Sequence, residues 1–442
     1  MTGSLPETAD ERFTIEPLGG ARSGLTLHLR SSAIRKTNRL CLFSLADLDD
    51  DVTLRALLPN VMLRGTRTYP DMQLLSQRLE YLYGSSVVSE VMKIGERHVF
   101  SLRAEFVNDR YLPAGQGVLA PVIALCGELM FAPHLESDVF PAPTVEQEKD
   151  ALRRTIEGLV NSKSAYAAQR CLEIACADEP FRLNEDGRVE DLPSIGPSEI
   201  TKMWQRAAGG AETHIYFSGD FELPAARAAL APFADWRRAH RQQFGIEPLP
   251  LSPIRPLRAA PAKPRERVEH MDVHQTQLVL CFRTGVRYGH PRLEALTIAN
   301  GVLGLFPHSK LFQNVREKAS LCYSVHSTLE RSHGLLLITA GIKAEKRAEA
   351  EALILQQLDD VRSGVITDDE LTATLLAFEN RLLMLEDSPA ALMDIDLTWR
   401  LSGVEYDHAA YAARLKQVTR ADIMAAMREV QLDTVYVLAP PA

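Results

Sequence analysis

The alternation of apolar and polar positions predicts one series of elements that occurs twice along the chain. Continuous apolar runs of strand length lie at residues 39–45 (RLCLFSL) and 277–284 (QLVLCFRT). Each is followed by a segment of helical period, at residues 53–65 (TLRALLPNVMLRG) and 293–304 (LEALTIANGVLG). Later in each half come a strand pair, a long helix with an acidic start, a short helix and a final strand. The pattern therefore predicts two copies of one mixed unit.

The spacing between matching residues supports a duplication. Phe43 and Phe282 are 239 residues apart, whereas Glu148 and Glu370, at the starts of the two long helices, are 222 apart. The spacing falls because the first half has extra residues in a middle loop. A drift this small, with the order of elements kept, favours duplication over the alternative of two unrelated α/β domains.

The predicted fold class is α+β, with two homologous halves that each contain an antiparallel-rich sheet and helices packed on one face. Residues 1–245 are predicted to form the N-terminal domain, 246–266 a linker, and 267–442 the C-terminal domain. The linker is predicted from EPLPLSPIRPLRAAPAKPR at residues 247–265. So many prolines exclude a helix or a central strand and favour an extended connection.

Composition and charge narrow the classes of partner. The chain has 442 residues, 46% of them hydrophobic and 24% charged, and its net charge at pH 7 is −9. The acidic balance argues against nucleic acid as the main partner, because a phosphate backbone needs a clustered positive face, although a local basic groove stays open. The N-terminus, MTGSLPETADERF, lacks a basic region followed by an apolar core, and the longest apolar run, at residues 118–131, contains Glu128. We therefore expect no signal peptide, no membrane partner and a cytoplasmic location.

The cysteines and histidines do not show the spacing of metal ligands. None of the six cysteines forms a C-x-x-C pair, and Cys171 and Cys176 are five residues apart. Most of the cysteines lie in apolar runs, which predicts buried, reduced thiols. His270 and His274 are four apart in a segment that looks like a strand, where roughly 13 Å would separate them. We interpret this pair as surface or edge residues.

Several motifs together resemble those of a known family. They are LRGTRTYPD (63–71), LEYLYGS (79–85), VEQEK (145–149), SGDF (218–221) and SKLFQNVREKASLCYSV (309–325). With the duplicated halves and the Pro-rich connection, they resemble the insulinase-like zinc metallopeptidases, the group of pitrilysin and mitochondrial processing peptidase. The resemblance covers nearly the whole chain and is strongest to bacterial non-catalytic subunits that lack the H-x-x-E-H motif. It implies that the two halves enclose a cavity.

The resemblance also implies where a zinc site would lie and that this chain has lost it. Active members carry H-x-x-E-H on the first helix, shortly before Gly-Thr, and a third, glutamate ligand on the later long helix. Here Ala56 and Asn60 occupy the histidine positions, Pro59 occupies that of the general base, and Thr155 that of the third ligand. Alanine, proline and threonine cannot fill these roles, and asparagine is a poor zinc ligand. We therefore expect no metal and no cofactor in this chain, and no catalytic residue of its own.

A second family feature is retained in the C-terminal half. Arg316 and Tyr323 are seven residues apart, and the resemblance implies that such a pair approaches the substrate main chain near the scissile bond. A guanidinium offers a fixed fork of donors, and a phenol can bind a developing oxyanion. The alternative is that Arg316 pairs with Glu317 and Tyr323 packs in the core. The loop before this helix, at residues 300–310, is predicted to be a plain turn.

The leading functional hypothesis is a non-catalytic, substrate-binding subunit of a heterodimeric zinc peptidase. Its partners would be a peptide substrate and a zinc-bearing insulinase-like sister subunit, whose active site would receive the Arg316 and Tyr323 pair. The alternative is a structural or assembly subunit without a peptidase role, like the core subunits of the respiratory bc1 complex. An active peptidase with an unrecognised site is disfavoured because the ligand positions are lost.

Overall fold

A computed structural model describes residues 12–20, 22–33 and 35–441, so most of the N-terminal stretch considered for a signal peptide lies outside the described residues. The strands in this part of the chain are β1 (Thr14–Leu18), β2 (Leu25–Ser31), β3 (Thr37–Asp47), β4 (Ser86–Ile94), β5 (Arg97–Val107), β6 (Thr213–Gly219), β7 (Arg265–His270), β8 (Thr276–Arg283), β9 (Cys322–Glu330), β10 (Leu335–Ile342) and β11 (Gln431–Ala439). None of the helices in the described ranges is both long enough and apolar enough to cross a membrane.

The helices predicted at residues 53–65 and 293–304 are present as the first and ninth of the α-helices in the described residues. The α-helices are α1 (Val52–Met62), α2 (Met72–Tyr81), α3 (Leu119–Phe131), α4 (Ala142–Gly158), α5 (Lys163–Ala175), α6 (Pro197–Gly210), α7 (Leu223–Leu230), α8 (Pro232–Phe244), α9 (Leu293–Asn300), α10 (Arg347–Arg362), α11 (Asp368–Glu386), α12 (Pro389–Leu401), α13 (His408–Lys416) and α14 (Arg420–Met427). Two π-helical segments, Gly301–Leu305 and Leu311–Lys318, follow α9. The predicted plain turn after α9 therefore begins as a π-helical turn.

The first compact unit contains the described residues up to Glu157 together with Asn184–Pro253. Its sheet has the strand order β1-β2-β6-β3-β5-β4. Neighbouring strands are antiparallel except β2 and β6, which are parallel. Residues 40–45 of the central strand β3 are all buried, which explains why that run is apolar without alternation.

The second compact unit contains Gly158–Leu183 and Ile254–Ala442, of which residues up to 441 are described. Its sheet has the order β7-β11-β8-β10-β9, with only β7 and β11 parallel. This is the order of the first sheet without its β1, when strands are matched by their place in each half. The α+β class with two similar, antiparallel-rich halves is thus confirmed.

Helix α5 joins the second unit, although the sequence places it in the first half. Its apolar residues Ala167, Cys171 and Ala175 pack in one cluster with Val279 and Cys281 of β8. The alternate residues of β8, Leu278, Leu280 and Phe282, point into the main core on the other face. Strand β8 is therefore buried on both faces, and the compact units divide the chain differently from the predicted domains at residues 158–183.

Helix α1 runs through Pro59 and ends before the Gly-Thr turn that the sequence singles out. The N–H of Leu63 donates to the carbonyl of Pro59 at 3.1 Å, so the helix continues beyond the proline. Gly65 then lies so close to Pro70 that a Cβ there would meet the Pro70 carbonyl oxygen at 2.5 Å. The Thr66 N–H closes the turn by donating to the Tyr69 carbonyl at 2.7 Å.

The proline-rich connection has no helix or strand between the end of α8 and the start of β7. Gly245 ends α8 in the left-handed conformation, with φ of 66°, which a glycine adopts without strain. The first part of the proline-rich connection packs on the first unit, where the N–H of Leu249 donates to the carbonyl of Gly210 at 2.8 Å. The backbone here is extended, as the proline content predicts.

Candidate functional site

The first-helix positions that would carry metal ligands are occupied by side chains without a suitable donor. Ala56 is 2% exposed and belongs to the main core of the first unit, and Pro59 is buried beside it. Asn60, one residue further along α1, is half-buried and has a neutral carboxamide. Neither a methyl group nor a pyrrolidine ring can bind a cation, so this face of α1 serves packing.

The fourth position, Thr155, lies on α4 and points to solvent. Its hydroxyl donates to the carbonyl of Ala151 in the preceding turn at 3.3 Å, a common local contact of threonine in a helix. A hydroxyl engaged with its own helix does not replace a carboxylate ligand. Together the side chains at these positions offer no thiolate, imidazole or carboxylate, so they do not fit zinc.

A carboxylate does lie close to the end of α1, but an arginine holds it. Glu148 on α4 is 4% exposed, and its carboxylate forms an ion pair with the guanidinium of Arg64, two residues after α1. The pair neutralises a buried charge and joins the two helices that would have supplied the metal ligands. Sequence reasoning used Glu148 only as a marker for alignment and did not predict this contact.

The Arg316 side chain lies on the π-helical segment Leu311–Lys318 and presents its guanidinium at the surface. The guanidinium stacks over the Phe312 ring at 4.5 Å, and its Nε lies 3.7 Å from the Glu317 carboxylate. The predicted alternative contact with Glu317 is therefore present only near the outer limit of an ion pair. Most of the donor fork remains available because the side chain is 39% exposed.

Tyr323 lies on β9 and is 55% exposed, so it does not pack in the core. Between it and Arg316 the chain turns sharply at Ser320, whose φ of 51° is unusual for a residue other than glycine. Burial raises the pKa of the neighbouring Cys322 thiol to about 11, and the positive charge of Arg316 opposes that rise. Arg316 and Tyr323 are thus brought to the same end of β9.

Strand β9 forms one edge of the second sheet. Among the described strands it pairs only with β10, and its register shifts once, between Gly341 and Ile342 of that partner. Tyr323 and Ser324 are both exposed, and from Val325 to Thr328 buried and exposed residues alternate. An edge of this kind presents unpaired backbone N–H and C=O groups to a further strand.

The two histidines four residues apart and the six cysteines lie where the sequence predicts them. His270 ends β7 and bonds through Nδ1 with the carbonyl of Pro440 at 2.9 Å, while His274 is exposed in the following loop. Both are surface or edge residues, although His274 is outside the strand. All six cysteines are free and buried, as predicted.

The structure also brings together Cys176, Glu179 and His333, whose potential ligand atoms lie within 4.8 Å of one another. The site is already occupied by a cation of the protein, because Arg283 donates to Glu179 at 2.6 Å and lies 3.7 Å from the Cys176 sulfur. His333 Nε2 lies 2.7 Å from the other Glu179 oxygen. A buried guanidinium disfavours a metal ion at this distance, so the cluster is a structural ion-pair network.

We expect this ion-pair network to stabilise the second unit less in acid than at neutral pH. Burial alone would raise the pKa of Glu179, but hydrogen bonds from His333 and Arg283 outweigh burial and lower the pKa from 4.5 to about 2. Because the folded pKa lies below the unfolded one, the stabilisation is complete above about pH 4.5 and is lost as the pH falls towards 2. Amide hydrogen exchange in β8 and β11 between about pH 6 and pH 3 measures this loss.

The matched control for the acid dependence is Glu179→Gln. This variant is less stable at neutral pH, but the protection of β8 and β11 should decline less steeply with acid than in the unmodified chain. Equal slopes in the two proteins would show that Glu179 does not cause the pH dependence.

Comparisons with known proteins agree with this geometry. A family model described as the peptidase M16 inactive domain matches residues 210–377. The chain is 32% identical over 426 residues to the probable inactive metalloprotease YmfF of Bacillus subtilis, an alignment that covers 96% of this chain and 98% of the relative. The structure of a conserved protein from Enterococcus faecalis superposes with a TM-score of 0.88 at 27% identity, covering 97% and 99% of the two chains.

A more distant structure shows similarity in fold. The peptidase M16 inactive domain protein from Pseudomonas fluorescens has a TM-score of 0.78 at 18% identity, over 97% of this chain and 98% of its own. The identity of 32% to YmfF over nearly the whole of both chains shows the class, and the chain belongs to the M16, or insulinase-like, peptidase family. Within that family it is an inactive homologue and is not a peptidase on its own.

Proposed function

We propose that this chain is the substrate-binding subunit of a heterodimeric zinc peptidase that processes peptides. The single observation that carries the proposal is the partly exposed Arg316, in the segment just before an edge strand, together with the exposed Tyr323 near the start of that strand. A chain that had kept only a structural role would have no need to hold an arginine and a tyrosine free of the core at this place.

An extended peptide can bind this site by adding a strand to the edge of β9. Main-chain hydrogen bonds to the edge supply affinity that depends little on peptide sequence, and pockets for alternate side chains supply specificity. The Arg316 fork and the Tyr323 hydroxyl then face the peptide carbonyls near the start of β9. Both groups are donors that can stabilise negative charge as it develops on a carbonyl oxygen.

The zinc ion and the general base are supplied by a sister subunit of the same family. This assignment rests on the side chains at Ala56, Pro59, Asn60 and Thr155, which offer this chain no means of binding zinc or accepting a proton. The pair acts in the cytoplasm, which suits six free and buried thiols.

The test is zinc content and peptide cleavage, measured with and without a partner. The chain purified alone is expected to contain far less than one zinc per molecule and to leave an internally quenched peptide intact. Co-expression with a homologue from the same genome that keeps H-x-x-E-H should give a stable pair that contains zinc and cleaves the peptide faster than the homologue alone. Stoichiometric zinc in the isolated chain, or cleavage by it, would refute the proposal, and a stable pair with no gain in cleavage would indicate a structural subunit.

A further inference from the structure

A cavity in the second unit combines aromatic walls with two arginine side chains. Its volume is about 330 Å³, equivalent to on the order of ten water molecules, and it lies among α9, β9, α11, α12 and α13. This is within the range of small-molecule sites. None of the proposed peptide-binding residues lines it, so it is a separate feature.

Four aromatic rings form one wall of the cavity. Trp399 is at the centre, with its ring centroid 5.0 Å from that of Tyr288, 5.4 Å from that of Tyr406 and 5.3 Å from that of Tyr411. Trp399 itself is largely buried, while the three tyrosines are half-buried. Such a wall offers ring faces and edges to an aromatic or aliphatic group.

The charged residues that line the cavity are all positive. Arg331 and Arg381 both line the cavity, and none of the described residues that line it is acidic. The Arg331 Nε donates to the Thr297 hydroxyl at 3.4 Å, a long contact to a neutral group, and the Arg331 side chain also hydrogen-bonds the Tyr288 phenol. In a chain with a net charge of −9, two cations without an acid in one cavity are an unusual arrangement.

Three acidic residues near the cavity each form an ion pair with a residue that does not line it. The Asp396 carboxylate on α12 lies 2.7 Å from Arg400 Nε, and the Glu386 carboxylate at the end of α11 lies 3.0 Å from His408 Nε2. Glu294 on α9 likewise holds Arg414 at 2.7 Å. None of these three acids lines the cavity, so an anion bound between the two arginines would come from outside the chain.

We propose that this cavity binds a small molecule with an aromatic or aliphatic body and one carboxylate. The body lies against the ring wall around Trp399, and the carboxylate accepts hydrogen bonds from the guanidinium groups of Arg331 and Arg381. Guanidinium–carboxylate pairs of this kind are short and strong because both partners are charged.

The test is calorimetric titration of the full chain with 4-phenylbutyrate and with its neutral amide. We expect saturable binding of the acid, about tenfold or more weaker binding of the amide, and a similar loss for the acid in Arg331→Gln and Arg381→Gln. The matched control is Arg428→Gln, an exposed arginine of the same unit that does not line the cavity, and it should bind the acid normally.

Two further measurements identify the source of the ligand and guard against misfolding. Leu382→Trp fills the cavity from α11 and should abolish binding of the acid while the thermal unfolding midpoint is retained. N-acetyl-phenylalanine imitates the C-terminal residue of a peptide and so distinguishes a peptide end from a free acid. If N-acetyl-phenylalanine bound more tightly than 4-phenylbutyrate, the site would be assigned to peptide ends and the small-molecule assignment would be overturned. No saturable binding of the acid up to about 10 mM, or equal binding by the acid in all variants, would also overturn the proposal.

Discussion

Replacing Arg316 with alanine is expected to lower the rate of peptide cleavage by the reconstituted pair by roughly 10²-fold, the effect of removing one donor that stabilises an oxyanion. The guanidinium is held by its stack on Phe312, and only a 3.7 Å contact with Glu317 competes for it. It can therefore reach a peptide carbonyl without first breaking a strong ion pair. The measurement is kcat/KM of the pair on an internally quenched peptide.

Lys318→Ala is the matched control for this experiment. Lys318 lies on the same π-helical segment, is exposed, and donates to the side-chain oxygen of Asn314 at 3.0 Å. The Lys318 variant should leave kcat/KM nearly unchanged, and Tyr323→Phe, which removes only a hydroxyl, should lower kcat more than it raises KM. If Arg316→Ala and Lys318→Ala gave the same small effect in a pair that still assembled, Arg316 would have no role at the partner's active site.

Replacing Arg283 with methionine is expected to destabilise the second unit by about 3–5 kcal/mol, the cost of removing one member of a buried ionic network. Arg283 is 5% exposed and donates to Glu179 at 2.6 Å, to Asp433 at 3.1 Å and to the carbonyl of Ala175 at 2.8 Å. Methionine has a similar length but leaves two buried carboxylates without their shared cation. The measurement is the free energy of opening of β8 and β11 by hydrogen exchange.

The matched control for Arg283 is Arg258→Met. Arg258 also belongs to the second unit and faces Asp178 at 3.4 Å, but both side chains are half or more exposed, so the loss should stay below about 1 kcal/mol. Combining Arg283→Met with Glu179→Gln should recover part of the loss, because it removes the charge of one of the two carboxylates that Arg283 pairs with. A loss for Arg283→Met no larger than that for Arg258→Met would show that the network does not stabilise the unit.

Much of this molecule could be predicted from the sequence because its signals are local or repeated. The continuous apolar run at residues 277–284 predicts a fully buried strand, and β8 is one. The positions of Ala56, Pro59 and Asn60 on one helix follow from a fixed distance to the Gly-Thr turn. Each of these predictions depends only on neighbouring residues and their spacing.

The features that escaped prediction depend on contacts between distant residues. The pairing of Arg64 with Glu148 joins two helices, and nothing in either local sequence identifies the partner. The π-helical backbone around Arg316 arises from a shifted hydrogen bond, in which the Ala319 N–H donates to the carbonyl of Asn314. The cavity around Trp399 combines residues from several elements, so its mixture of aromatic rings and arginines is absent from any single segment.

The place of α5 in the chain sets the order in which the protein can be completed during synthesis. Helix α5 leaves the ribosome before β6 and α6, yet its partners are translated later: β8 only after the proline-rich connection, and β11 after all the other helices and strands described here. The first unit can close once Pro253 has emerged, while the apolar side of α5, with Cys171 and Ala175, must wait for the remainder of the chain. For the same reason, cutting the gene at the proline-rich connection would separate α5 from its own sheet and could not give two self-sufficient halves.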